Sequence, residues 1–227
     1  TGASKEWLKS NQRRVCNNDV IGMQFMCVNG KPLLIQACID GSLRIVNPFR
    51  FNQATSDRII SGLPPRSVIR SSGKLMAANL LESVQVWSHG TYNTVAEIIT
   101  EEPKLLADLK FKDAIIDIDL SDSLLAVQFA SKCKLFKIGN GIVEKVKSFK
   151  SHADMIQLVD GQVVGIEQSA EGLKVHFDGS LVQTVPTKCF AIRMSALQRR
   201  VAVSLTDSSV LVLDTHNLKT FKISFPT

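Results

Sequence analysis

The sequence has no run of about 18 consecutive apolar residues, so nothing in it predicts a membrane-spanning helix. Its opening segment, TGASKEWLKSNQRRV, lacks the apolar block of a secretory leader, and a soluble chain is the expectation. There is no Gly-x-Ser-x-Gly elbow, no His-Glu-x-x-His, no phosphate-binding loop and no Gly-x-Gly-x-x-Gly, which removes the common signatures of hydrolases, metalloproteases and nucleotide enzymes. Two tryptophans and one tyrosine are few for a sugar-binding pocket. The five cysteines (Cys16, Cys27, Cys38, Cys133, Cys189) are odd in number, and none forms a Cys-x-x-Cys pair beside a histidine. They are expected to be reduced, in an intracellular protein of the cytoplasm or nucleus, with no metal and no cofactor.

What is present is an ordinary globular composition, 44% hydrophobic and 21% charged, on a chain of 227 residues, long enough for a substantial core. The net charge of +6 is uneven: residues 1–75 hold eleven Lys or Arg against four Asp or Glu, while the remaining two thirds are close to balanced.

The clearest pattern is repetition. DGSLRIVNP at Asp40 opens with a tight turn and continues in the apolar–polar alternation of a half-buried strand. ESVQVWSHG, SKCKLFKIG, EGLKVHFDG and DSSVLVLDT repeat that form, and if Val46, Trp87, Phe136, His176 and Leu213 are equivalent their spacings are 41, 49, 40 and 37 residues. Each stretch follows a second apolar run (PLLIQAC, KLMAANL, SLLAVQF, QVVGIEQ, RRVAVSL), itself preceded by a third (VIGMQFMC, SVIRS, AIIDIDL, DMIQLV, FAIRMS). With one further outer strand per unit, this predicts an all-β fold of about five four-stranded antiparallel blades. A small twisted sheet cannot hide both faces alone, and stacking against neighbours supplies the missing burial.

From about Asp19 onward the chain resembles the WD-repeat β-propeller family. LLIQACIDGSLRIVNP is similar to the family's central strand, turn and third strand; VQVWS keeps the Trp of one copy and LVLDT the Asp of another; His152 in KSFKSHADMIQLV lies about where the repeat's Gly-His pair would. No copy carries a complete Gly-His followed by Trp-Asp, so the resemblance implies a divergent propeller relying more on apolar packing than on the family's His–Asp–Trp hydrogen-bond network. Residues 1–18 are expected to form an N-terminal arm or closing strand and residues 19–227 the propeller. Five units are fewer than the family's usual seven. The ring is then complete with few blades, open, or finished by strands from elsewhere, and an open edge invites a partner.

In KDAIIDIDLSDS, period-two geometry puts Asp117 and Asp119 on one face of a strand, between Asp113 and Asp122; the pattern suits a metal or a coupled acid pair, but also a plain strand running into a polar turn, the preferred reading. The histidines (His89, His152, His176, His216) have no ligand-like neighbours. TEEPKLLADLKF reads either as a short helix capped by Thr100, with Leu105, Leu106 and Leu109 on one side, or as a long loop with a Pro turn. KEWLKSNQRRV reads as an amphipathic helical turn or an outer strand, and Pro64-Pro65 as a stiff connection holding Arg66.

The basic residues of the first third are the candidate partner-binding set: Arg13, Arg14, Arg44, Arg58, Arg66 and Arg70, with Arg50 and Lys74 nearby. Guanidinium forks suit carboxylates and phosphates alike. The resemblance implies a non-enzymatic scaffold or adaptor subunit of a multiprotein complex, holding one or more proteins, some with acidic surfaces or supplying a missing strand or blade. The alternative is a subunit associated with RNA or DNA through its Arg-rich surface, and a small propeller hydrolase or lectin-like module is a third class.

Overall fold

The computed structural model describes residues 20–28, 31–38, 43–46, 54–60, 68–73, 75–80, 82–88, 91–93, 98–101, 103–139 and 142–225. The chain divides into two compact units, Thr1–Lys110 and Phe111–Thr227. Every regular element among the described residues is a strand.

In the first unit, β1 (Val20–Val28), β2 (Lys31–Cys38), β3 (Leu43–Val46) and β4 (Ala54–Ile60) form one four-stranded meander. β5 (Ile69–Ser72), β6 (Leu75–Asn79) and β7 (Ser83–Ser88) begin a second. A short hairpin of β8 (Thr91–Asn93) and β9 (Ile98–Glu101) follows before β10 (Lys104–Lys110) returns to pair with β7. The second unit holds three such sheets: β11 (Ile115–Leu120) to β14 (Ile142–Lys150) with β12 (Leu124–Phe129) and β13 (Lys132–Gly139); β15 (Met155–Val159), β16 (Gln162–Ser169), β17 (Gly172–Phe177) and β18 (Ser180–Val185); and β19 (Ala191–Leu197), β20 (Arg200–Leu205), β21 (Ser209–Asp214) and β22 (Thr220–Ser224). All neighbouring pairs are antiparallel. These are propeller blades, and the all-β propeller fold read from the repeats is the fold observed. The inner, second and third strands of every blade coincide with the three apolar runs of each repeat.

The turns are set locally. Asp160-Gly161 and Asp178-Gly179 link paired strands through two residues, and all four have positive φ (49°, 80°, 48° and 84°), the backbone that Asp-Gly adopts in tight hairpins. At Gly179 a Cβ would lie 2.1 Å from the Lys150 carbonyl oxygen, so the turn also lets the second blade of this unit approach the end of β14.

Packing in the first unit buries Leu33, Ile35 and Ala37 of β2, Met76, Ala77 and Ala78 of β6, and Val84, Val86 and Trp87 of β7. Ser71 donates to the Phe25 carbonyl at 2.8 Å, joining its two blades. In the second unit Ala126, Cys133 and Leu135 pack against Ala153, Ile156 and Val163, and on the other side of that middle blade Val164, Ile166, Leu173 and Val175 pack against Val201, Val203, Leu205, Leu211 and Leu213. Each fully buried aliphatic side chain stabilises by about 1.5–3 kcal/mol relative to exposure.

Two expectations are corrected. The segment after Pro103 is the strand β10, not a helix or a loop: it completes the hydrogen-bond ladder of β7 (Leu105 opposite Trp87, Leu109 opposite Val84), which outweighs its helical spacing of leucines. The inserted β8–β9 hairpin accounts for the 49-residue interval. Cys38, fully buried, is disulfide-bonded rather than reduced, whereas Cys133 and Cys189 are free. An odd number of cysteines still allows a bridge, which the count alone does not reveal. Residues 1–18, with the proposed arm, lie outside the described residues, as do Pro64 and Pro65.

The disulfide predicts that, of the five cysteines, three react with a thiol reagent in denatured, unreduced protein and all five after reduction. Five reactive thiols without reductant would show that Cys38 is unpaired.

Candidate functional site

The acidic cluster lies on β11, where a bulge between Ile115 and Asp117 re-aims the strand. Asp117 and Asp119 are buried, at 5% and 6% exposure, on the face that meets β15. Asp117 accepts the Ile156 N–H at 2.9 Å through one carboxyl oxygen and the Ile118 N–H at 2.9 Å through the other. Asp119 accepts the Leu158 N–H at 2.6 Å and the Gln157 side-chain amide at 3.1 Å. Gln157 repeats the device one blade on, accepting the Ala196 N–H at 3.0 Å. These contacts latch the inner strands of three successive blades, each acceptor reaching a backbone N–H 39 residues later. The two aspartates that suggested a metal or acid pair thus serve as acceptors for inner-strand amides. Asp113 is exposed and paired with Lys132 at 2.7 Å, which holds its carboxyl below the usual range, and Asp122 is exposed in the turn after β11. Among the described residues no three His, Cys, Asp or Glu side chains group as metal ligands.

Two glutamines on the second strands of their blades make further ties to the start of the next blade. Gln128, fully buried, exchanges hydrogen bonds with Ser151, and Gln168 accepts the Ala191 N–H at 3.1 Å. Both contacts span 23 residues.

Of the candidate arginines, Arg13, Arg14 and Arg66 lie outside the described residues, as do Arg50 and Lys74. Arg44 is placed in β3, Arg58 in β4 and Arg70 in β5. Arg70 is half-buried and donates to the Ile69 carbonyl at 3.1 Å.

Sequence reasoning missed a set of lysines on the last two strands of one blade, which pairing divides between the two faces of the sheet: Lys132 opposite Lys150 and Lys145 opposite Phe136 on one, Lys147 opposite Leu135 and Lys137 opposite Glu144 on the other. β13 and β14 carry Lys132, Lys134, Lys137, Lys145, Lys147 and Lys150 with Glu144 as the one acid between them. Lys134 lies 5.0 Å from the Phe111 ring centroid and 5.1 Å from that of Phe129, and Lys147 lies 5.7 Å from Phe149. The strings KCKLFK and EKVKSFK were the available signal, hidden when charge was totalled by thirds of the chain. β14 is an outer strand, where lysine also discourages edge-to-edge pairing.

Among the described residues, reactive groups are few. Burial pushes the Cys133 thiol up to about 12, so it is not a thiolate at neutral pH. A polar cavity of about 200 Å³ between Asp160, Gln162, Arg199, Thr215 and His216 is smaller than the ~300–1,000 Å³ usual for small-molecule sites. Asp207 is held well below its ordinary 3.8, first by the hydrogen bond from Lys222 at 2.7 Å, then by Ser209 and Cys189. Large apolar side chains instead stand exposed on strands: Met23 and Phe25 of β1, Ile142 and Val146 of β14, Phe221 and Ile223 of β22.

No family model and no curated protein matches the sequence. Solved structures do match the fold. Hsv2 from Kluyveromyces lactis aligns with a TM-score of 0.61 at 16% identity, over 92% of this chain and 64% of that one. The computationally designed protein Ika8 gives 0.58 at 15%, over 90% and 61%, and BBS1N, solved in complex with ARL6DN, gives 0.58 at 13%, over 90% and 66%. The chain therefore spans about two thirds of the length of these proteins or slightly less, and at such identities the likeness is one of fold.

Replacing Asp119 with Ala leaves the Leu158 N–H without that acceptor and should lower unfolding free energy by about 1–3 kcal/mol, with Asp119→Asn losing less. An unchanged urea midpoint for Asp119→Ala would mean the latch does not stabilise. The depressed Asp207 carboxyl contributes stability above its unfolded value of 3.8 that is lost as pH falls through the lower folded value. The urea-midpoint gap between the protein and Asp207→Asn should accordingly be present at about pH 7 and shrink toward about pH 2; a constant gap would remove the ionic contribution.

Proposed function

We propose that this chain is a non-enzymatic interaction scaffold or adaptor subunit of a multiprotein complex, a divergent relative of WD-repeat propellers that holds protein partners on blade faces and edges. The observation that carries the reading is the exposure of large apolar side chains on regular strands, Met23 at 64%, Phe25 at 62% and Phe221 at 58%, in a fold whose buried aspartates Asp117 and Asp119 are committed to latches. Exposed apolar groups on an ordered surface are what a partner covers. BBS1N, a neighbour in fold, was solved with a protein bound. Arg13, Arg14, Arg44, Arg58, Arg66 and Arg70 are proposed as contacts for an acidic region of the partner, in the cytoplasm or nucleus; the thiol titration above bears on that compartment.

Affinity capture of the intact protein, with and without nuclease and at two salt concentrations, should recover a stoichiometric protein that survives both treatments. Arg44→Glu with Arg66→Glu should weaken that capture at unchanged melting temperature. Recovery lost to nuclease or salt would replace this reading with the nucleic-acid one, and recovery of nothing would end it.

A further inference from the structure

The last blade, β19 to β22, differs from its neighbours in one of its faces. Val201, Val203, Leu205, Leu211 and Leu213 point to the preceding blade and are buried there. Strand pairing fixes what lies on the other side: Arg193, Ser204, Val210 and Ile223 form one cross-strand row, and Ser195, Ala202, Val212 and Phe221 the next. Phe221 and Ile223 are 58% and 48% exposed, and Arg193 and Ser195 are exposed as well.

This face can be aligned with the two latched ones. Gln157 pairs with Val164 and Ser195 with Ala202, each two residues before the end of its inner strand and ahead of a two-residue hairpin, so Ser195 stands where Gln157 does. Asp119 makes the same contact one blade earlier. Stepping back two residues along each strand matches Asp117 with Met155 and Arg193. A carboxylate that accepts the next blade's N–H therefore has an arginine as its counterpart here. Arginine has five donors and no acceptor, so it cannot receive a backbone N–H and instead calls for an acceptor, best of all a carboxylate. Arg200, on the same face two residues before Ala202, already has the Asp214 carboxylate opposite it, whereas Arg193 has Ser204.

From the apolar rows and Arg193 we infer that this face is a docking surface for a β-sheet of a protein partner that presents apolar side chains together with a carboxylate opposite Arg193. The inference rests on the scaffold reading and assigns it a location and a chemistry. Apolar contact with Phe221, Ile223, Val210 and Val212 supplies the attraction, and Arg193 selects among partners by charge.

Two disulfide-closed synthetic β-hairpins of identical apolar pattern, one with glutamates and the other with lysines among the apolar residues of one face, serve as probes. Fluorescence anisotropy with the full chain should show the glutamate hairpin binding about tenfold or more tighter than the lysine one. Arg193→Glu, at an exposed position, should erase or reverse that preference, and Phe221→Ser should weaken binding of both, with near-ultraviolet circular dichroism unchanged. Absence of binding, equal binding of the two hairpins, or a preference that survives Arg193→Glu overturns the inference. So does concentration-dependent dimerisation of the chain abolished by Phe221→Ser, which would assign the face to a second copy. If the hairpins fail while Arg193→Glu still captures its stoichiometric protein, the face assignment falls and the scaffold reading stands; if the hairpins bind and nothing is captured, the reverse holds.

Discussion

Everything in the second unit depends on blade faces covering one another. A four-stranded antiparallel sheet has two sides, and the middle blade, β15 to β18, is apolar on both: Ile156 and Val163 toward the preceding blade, Val164 and Ile166 toward the following one. Neither set is buried by the sheet itself. The burial is non-directional, and two stacked sheets could slide without losing much of it. The latches remove that freedom, because Asp117, Asp119 and Gln157 accept particular amides of the adjacent inner strand and a shift would leave them unpaired in a buried setting. Packing thus supplies the attraction and the side-chain acceptors fix the register.

That division of labour limits the chemistry available. Asp117 and Asp119, the two aspartates that sequence alone placed on one face, are engaged by backbone amides, and the buried thiol of Cys133 is far from ionising at neutral pH. What the fold leaves accessible is surface: lysines stacked over phenylalanines on the third blade's outer strands, and apolar rows on β1 and β22. Apolar rows and cations beside aromatic rings are features of shape and charge, of the kind that contact surfaces offer.

The blades were legible because repetition is legible. Three strands of each unit carry period-two apolar runs closed by Asp-Gly or similar turns, and none needed tertiary information to be found. The outer strands were harder, since one face of such a strand is solvated and its pattern weakens; β10, with the burial sequence of a half-exposed edge, had leucines spaced as on a helix until its pairing with β7 is known. The latches were half legible. Period two put Asp117 and Asp119 on one face, but only the fold shows that the face meets amides 39 residues away. The lysines of β13 and β14 become neighbours through strand pairing, which regional charge totals do not reveal.

The degeneracy of the repeat has a structural counterpart. His152, at the position suggesting the repeat's histidine, is exposed and contacts only the Ala130 carbonyl, at 3.2 Å, among its described partners. It therefore contributes no buried network of the His–Asp–Trp kind. In its place stand two sets of side chains that recur from blade to blade: Asp119 and Gln157 along the inner strands, and Gln128 and Gln168, each reaching 23 residues ahead to the start of the next blade. A blade that loses its internal polar network can still be held in place if the polar contacts run between blades instead. Rigidity then belongs to the junctions, and a face whose junction residues are Ser195 and Arg193 keeps the shape of a blade while presenting a short hydroxyl and a guanidinium where the earlier blades present Gln157, Asp119 and Asp117.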